Sequence, residues 1–234
     1  MAHSDNTVCV VIAACNAAAT VGAAVASALA EIEVGEVVVV DDASSDGTDQ
    51  AARGADDGSG RLRIIRLDKN HGPAFARNQA IAASRSPLIA VLDADDVFLP
   101  NRFKPMLATP NWDFIADDIV FVPIGQSAPP VETRPSAAGA FVLDLAAFAD
   151  GNISKRGADR GEIGFLKPVM RRAFLVDKRL AYRQELRLGE DYDLYARALA
   201  AGARYKVVRN CGYAAFIRPD SLAARHRTED LRRL

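Results

Sequence analysis

Two short runs that are apolar at almost every position, Glu36-Val37-Val38-Val39-Val40 and Leu88-Ile89-Ala90-Val91-Leu92, constrain this chain more than any other feature. A strand with one wet face alternates apolar and polar residues. One that is apolar throughout is covered on both faces, as in parallel sheets. Parallel neighbours need long crossovers, usually helical, and the intervening segments supply them. Val8 to Ile12 reads as a first strand, and Thr20 is placed to cap the Ala-rich helix that runs to about Ala30. A second helix is predicted from Gly47 to about Ala55, a third strand over Leu62 to Leu67, and a helix from Pro73, at the favoured first-turn position, to about Ala83. Trp112 to Val122 reads as a fifth strand. This β-α order predicts an α/β fold, a Rossmann-like, doubly wound and mostly parallel sheet flanked by helices.

In such sheets ligands bind beyond the carboxyl ends of the strands. Here those ends carry Ala14-Cys15-Asn16, Asp41-Asp42 and Asp93-Ala94-Asp95-Asp96, an edge crowded with carboxylates. The second half is less regular. Pro123 to Pro135 and Asp150 to Gly164 read as loops, Lys167 to Val176 is mixed, Asp191 to Ala201 is a helix, and Arg204 to Val208 a strand. Ser221 is placed to cap a final basic helix still running at Leu234. The expected organisation is one domain over 1–220, with a regular half to about 122 and a less regular half from about 123, then a helical tail over 221–234.

Composition narrows the function classes. Half the residues are hydrophobic, a quarter are charged and the net charge is −1, so nothing global points to nucleic acid as a partner. No apolar run approaches the roughly 20 residues that span a bilayer, and Met1 to Thr7 lacks the apolar core of a signal peptide. Cys9, Cys15 and Cys211 show no CxxC spacing and are expected to be reduced, buried small side chains, which fits a cytoplasmic location. Dehydrogenase and P-loop readings fail at the first strand–helix turn, because Ala13 to Thr20 contains no glycine.

Four motifs carry chemistry, each with a plainer reading beside it. Clustered carboxylates in Asp93-Ala94-Asp95-Asp96 are costly unless a cation neutralises them, and Mg²⁺ or Mn²⁺ commonly binds one or two carboxylates plus substrate phosphates; a solvated turn or a helix cap is the alternative. In Val40-Asp41-Asp42-Ala43-Ser44-Ser45-Asp46-Gly47-Thr48, a carboxylate at the strand end can accept from a ribose or base edge, or Asp41 and Asp46 can serve structure alone. Arg77, one turn into the helix after Lys69-Asn70-His71-Gly72-Pro73, can pair with a diphosphate or form an ordinary ion pair. Gly189-Glu190-Asp191-Tyr192-Asp193 opens a helix, where acidic residues suit the dipole or act as general base on an acceptor hydroxyl.

Taken in this order, the motifs resemble those of the inverting, GT-A-fold glycosyltransferases of family 2, over Val8 to roughly Val208. The markers are the strand into Asn16, Val-Asp-Asp-Ala-Ser-Ser-Asp-Gly-Thr, Asn-His-Gly-Pro-Ala-Phe-Ala-Arg-Asn, Leu-Asp-Ala-Asp-Asp-Val-Phe-Leu-Pro and Gly-Glu-Asp-Tyr-Asp-Leu. Within the family, Gly164-Phe165-Leu166-Lys167-Pro168 and the Ser221 to His226 segment resemble bacterial exopolysaccharide enzymes of the succinoglycan type. Those relatives are often longer, so a truncated catalytic domain is expected.

The resemblance implies a role for each matching position. Asp42 contacts the uracil or ribose of a UDP-sugar, with the Ala13-Ala14 backbone and Asn16 beside the base. Arg77 lies near uracil or diphosphate, and Asp93 with Ala94 faces the ribose or donor sugar. Asp95 ligates a Mn²⁺ or Mg²⁺ ion bridging the phosphates, Asp191 is the catalytic base, and Glu190 positions the acceptor or shares that work. Many members carry a proline and an aromatic where this chain has Ala13-Ala14-Cys15-Asn16, which offers no ring to stack on a base. The implied reaction moves a hexose from a UDP-sugar to a saccharide or lipid-linked saccharide. For a lipid-linked acceptor, Arg225, Arg227, Arg232 and Arg233 would touch anionic lipid at the inner membrane face; Glu229 and Asp230 dilute that charge, and a solvated helix is the competing reading. Two other classes remain in view: a haloacid-dehalogenase-type phosphatase, since Asp93-Ala94-Asp95-Asp96-Val97 matches its nucleophile motif with Asp93 as nucleophile, and a non-catalytic sugar-nucleotide-binding module.

Overall fold

The computed structural model describes residues 6–123, 125–127, 139–152, 162–186 and 188–217. The tail over 221–234 and most of the two predicted loops lie outside them. The first half follows the expected alternation: β1 (Val8–Ala14), α1 (Val21–Leu29), β2 (Val34–Asp41), α2 (Thr48–Gly54), β3 (Leu62–Arg66), α3 (Pro73–Ala83) and β4 (Leu88–Val91). β1 lies between β2 and β4, and β3 joins β2, all in parallel.

Successive residues of β1 point to opposite faces, and both faces are buried. Val8, Val10 and Ile12 pack with Val21, Val25 and Leu29 of α1. Cys9 and Val11 join Ala76 and Ala80 of α3 on the other side. Each fully buried Val or Ile contributes about 1.5–3 kcal/mol relative to exposure, which accounts for the unbroken apolar runs.

The second half adds β5 (Val97–Phe98), α4 (Phe103–Leu107), β6 (Phe114–Pro123), β7 (Phe141–Leu143), α5 (Leu145–Gly151), a 3-10 turn (Glu162–Phe165), β8 (Val169–Arg171), α6 (Arg172–Asp177), α7 (Glu190–Ala200) and β9 (Tyr205–Ile217). The nine strands form one mixed sheet in the order β3-β2-β1-β4-β8-β6-β9-β5, with β7 on β9. The short β8 runs antiparallel between β4 and β6 and so joins the parallel half to the remainder.

Several local expectations need correction. Trp112 precedes β6 instead of starting it; its carbonyl accepts from Arg171, whose guanidinium lies over the indole. Thr20 stands at the α1 N-cap, yet its hydroxyl donates to the Ala17 carbonyl and caps no helix N–H. Leu67 lies beyond β3. Cys9 is buried as predicted, Cys211 is partly buried, and Cys15 is exposed because it falls in the turn after β1. β9 does not stop at Val208 but runs to Ile217, past an irregularity opposite Asp117 and Asp118.

Candidate active site

The carboxyl-terminal tips of β2, β1 and β4 stand side by side, so the motifs after them share one edge. After β1, the chain turns at Asn16, whose φ is 50°, and after β2 at Ala43, with φ of 59°. The two turns are laced together. The Asn16 N–H donates to Ser44 Oγ at 2.9 Å, and its side-chain oxygen accepts from the Ser45 N–H at 3.0 Å. The Ala17 N–H meets Thr48 Oγ1 at 2.8 Å and the Ala18 N–H meets Asp46 at 3.0 Å. These bonds hold two non-glycine residues in the left-handed region, a conformation that persists only where surrounding structure fixes it.

Asp41 and Asp42 divide their work. Asp41 is fully buried, accepting from the Ser44 N–H at 2.9 Å and from Arg66 at 2.6 Å, which is the structural role considered for it. Asp42 accepts the backbone N–H groups of His71 and Gly72 at 2.8 and 2.7 Å, so it clamps the entry to α3. Asn70 closes the same corner, donating to the Asp42 carbonyl and to Cys15 Sγ, both at 3.2 Å. Ala13 and Ala14 form the floor beside it at the end of β1.

The acidic turn after β4 is fixed from β9. The hydroxyl of Tyr213, fully buried, accepts from the Asp93 N–H at 3.1 Å and donates to Asp96 at 2.7 Å; Asp96 also accepts from the Phe216 N–H at 2.9 Å. Burial, then the negative charges of Asp93 and Asp95 nearby, push the Asp96 carboxyl up to about 7. Ala94 is buried, and Asp95 stands partly exposed between the two other carboxylates.

A cluster of five charged groups joins this turn to the start of α7. Arg77 is buried; it donates to Asp93 at 2.8 Å and to Glu190, and lies 3.4 Å from Asp191. The guanidinium expected near a diphosphate is thus engaged by protein carboxylates, with Tyr182 beneath it at 5.5 Å. The Lys167 ammonium bridges Asp93 at 2.8 Å and Asp191 at 2.7 Å. Burial opposes the charge of Asp191, but Arg77 and Lys167 outweigh it and hold the carboxyl below its usual range. Asp93 is likewise held well below that range, by Lys167 and Arg77 against burial. Both carboxylates are therefore ionised at neutral pH, as a proton acceptor must be.

Lys167 escaped the sequence reading as a chemical residue, and so did the parts that support it. Arg102 is fully buried; it donates to Asp117 at 2.9 Å and to the Lys167 carbonyl at 2.5 Å, with its guanidinium 4.6 Å from the Phe98 ring centroid. The signal available was a lysine between apolar residues in Phe165-Leu166-Lys167-Pro168, since a buried charge is nearly always paired.

An open α/β sheet with an acidic strand edge, closed by a carboxylate-bearing helix start, is the GT-A architecture. The chain belongs to glycosyl transferase family 2, whose family model matches residues 9–175. Glu190 and Asp191 lie beyond that stretch. The chain is 56% identical over 238 aligned positions to the succinoglycan biosynthesis protein ExoU of Rhizobium meliloti (strain 1021), spanning 100% of this chain and 68% of that protein. It is 38% identical over 217 positions to ExoO of the same organism, spanning 91% of this chain and 61% of that protein. Among solved structures, residues 1–349 of S. aureus TarS in complex with UDP-GlcNAc match with a TM-score of 0.73 at 21% identity, covering 94% of this chain and 62% of that one; this likeness concerns the fold. Family membership displaces the phosphatase reading, in which Asp93 would need a carboxylate oxygen for attack that Arg77 and Lys167 hold here.

Proposed function

We propose that the chain transfers a hexose from UDP-hexose to a hydroxyl of a saccharide or lipid-linked saccharide, with inversion, in assembly of a succinoglycan-type exopolysaccharide. One observation carries the reading: Arg77 and Lys167 tie Asp93, after β4 at the acidic strand edge, to Asp191, at the start of α7, which supports reading the edge as donor side and Asp191 as proton acceptor. The curated relatives' names supply the polysaccharide, and the UDP complexes of the TarS fold support a uridine nucleotide as donor.

Asp42, with the Ala13-Ala14 backbone and Asn16, borders the base and ribose; Asp93 and Ala94 face the ribose or donor sugar; Arg77 braces the diphosphate end from below. A divalent cation fits the acidic turn. Its donors are hard oxygens, and the charges crowding Asp96 are those a cation would relieve. Among the described residues no three His, Cys, Asp or Glu side chains converge as a cage, whereas Mg²⁺ and Mn²⁺ are commonly held by one carboxylate, waters and substrate phosphates. Asp95 would hold it. Bound there, the ion supplies charge stabilisation to the departing diphosphate.

Asp191 accepts the acceptor hydroxyl's proton as that oxygen bonds the anomeric carbon, and the bond from that carbon to the diphosphate oxygen breaks on the opposite face. The charge leaves with UDP. Glu190, ion-paired to Arg77, orients the helix start and the acceptor beside it. Among the described residues no helix is long and apolar enough to cross a membrane; a cytoplasmic enzyme meeting a lipid-linked acceptor at the inner membrane face is the location this reading implies.

The test is UDP release from a panel of UDP-glucose, UDP-galactose and UDP-N-acetylhexosamines with Mn²⁺ or Mg²⁺ and saccharide acceptors. Asp191→Asn should bind UDP normally and release almost none from the donor. Near-normal turnover by that variant defeats the base assignment, and binding without turnover across the panel indicates a non-catalytic module.

A further inference from the structure

The sequence motifs do not account for Lys167, yet the fold goes to some length to place it. Its ammonium joins two elements remote in sequence, 2.8 Å from Asp93 after β4 and 2.7 Å from Asp191 in the first turn of α7. Its backbone is held as firmly as its side chain. Arg102 donates to the Lys167 carbonyl at 2.5 Å, and Pro168 restricts the chain on the other side. Arg102 in turn is closed by Asp117 and by the rings of Phe98, Phe103 and Tyr213. Asp117 also accepts the Gly212 N–H at 2.8 Å, which ties the platform to β9.

We propose that Lys167 is a positioning residue for the transfer reaction: it acts through Asp191, fixing where the carboxylate stands. The inference rests on the proposed role of Asp191 as base. Two features separate Lys167 from an ordinary ion pair. Its single nitrogen meets Asp93 and Asp191 at 2.8 and 2.7 Å, whereas Arg77 reaches the same two carboxylates through different nitrogens at 2.8 and 3.4 Å. Lys167 is also buried, so its attraction is little screened by water or salt. Burial works against its charge, but Asp191 and Asp93 more than compensate and raise its pKa above the usual lysine value, so it stays cationic across the working range. The other groups facing Asp191 are Arg77 from α3, Asp93 from the β4 tip, Glu190 on its own helix, and the hydroxyls of Tyr182, Tyr195 and Tyr205. Arg77 is shared with Glu190 and lies farther from Asp191, at 3.4 Å, which leaves Lys167 as the closer cation.

The test compares Lys167→Met, Lys167→Gln and Lys167→Arg with the wild type, reading kcat, UDP affinity and the pH dependence of kcat. Met and Gln should lower kcat by about 100-fold, the cost of a misplaced catalytic group, while UDP affinity stays at the wild-type level and thereby shows that the variants are folded. In both, the acid limb of the pH profile should move upward, because Asp191 loses its nearest cation. Arg should restore part of kcat and return the limb toward its wild-type position. An unmoved pH profile with near-normal kcat in Met and Gln overturns the proposal. So does loss of UDP affinity in step with kcat, which would make Lys167 a donor ligand. If one neutral variant does not fold, the other decides. A wild-type chain that neither binds UDP nor turns over removes the base reading itself, a different failure from active wild type with unaffected variants.

Discussion

Replacing Gly212 with Ala adds one methyl group, and the structure says what that group would meet. A Cβ at this position would lie 2.3 Å from Arg102 Cγ, 2.7 Å from Arg102 Cβ and 2.6 Å from an Asp117 carboxylate oxygen. Arg102 and Asp117 are both fully buried and bonded to each other, so neither is a loose end that swings aside. Either the strand shifts, at about 1–3 kcal/mol for overpacking, or the pair parts and leaves buried charge uncompensated, at about 3–5 kcal/mol. Because the Gly212 N–H is itself bonded to Asp117, a strand shift also weakens the pair, and the upper range is expected. For a domain of this size about 3–5 kcal/mol lowers Tm by about 6–20 °C. Gly35→Ala is the matched control: its Cβ would approach only Thr7, 2.3 Å from Cγ2, a terminal methyl on a partly buried residue just before β1. Thermal and urea unfolding followed by circular dichroism should show Gly212→Ala strongly destabilised and Gly35→Ala nearly unchanged. A Tm for Gly212→Ala within about 2 °C of wild type would refute the claim that this strand seats a rigid ion pair.

Further outcomes follow from other parts of the structure. Cys15 is exposed beside Asn70 at the edge proposed to hold the donor, whereas burial pushes the Cys9 thiol up to about 12. Iodoacetamide labelling read by mass spectrometry should therefore modify Cys15 in preference to Cys9, and UDP with Mn²⁺ should slow it; unchanged labelling in saturating UDP would remove Cys15 from the donor edge. Asp113 accepts three hydrogen bonds from Arg204, which hold its carboxyl below the usual range although burial opposes this. A depressed folded-state pKa stabilises the fold above the unfolded value, about 3.9, and that contribution fades as pH falls below it. Asp113→Asn should accordingly lose stability at pH 7 and show a shallower decline on acidification than wild type; parallel pH profiles in urea unfolding would contradict the assignment.

Much of the first half was legible because its signals are local. The buried strands are uniformly apolar, Pro73 stands at the first turn of its helix, and the acidic motifs follow strand ends as a parallel sheet requires. The acidic strand edge could therefore be read as Asp42 with Asp93, Asp95 and Asp96 before any contact was known. What joins that edge to Asp191 was not legible. Tyr213 reaches Asp93 and Asp96 across 120 and 117 positions of sequence, and Arg77 reaches Glu190 across 113. Such pairings leave no periodicity. The continuation of β9 was missed for a related reason: Arg209-Asn210 and Gly212 break the apolar pattern, but the break is where the strand slips past Asp117 and Asp118, and regular register returns from Tyr213 opposite Ile119. Asp42 was legible as a carboxylate at a strand end but not as the clamp on His71 and Gly72, because backbone N–H partners carry no sequence signature.

That acidic strand tips form a metal-assisted site for a uridine diphosphate sugar is the claim on which the functional account depends. Titration calorimetry of UDP into the chain, with Mn²⁺, with EDTA, and into Asp95→Ala, tests it directly. Saturable binding that EDTA abolishes and Asp95→Ala weakens is the predicted result. Binding of equal strength in all three samples, or in none, would contradict it.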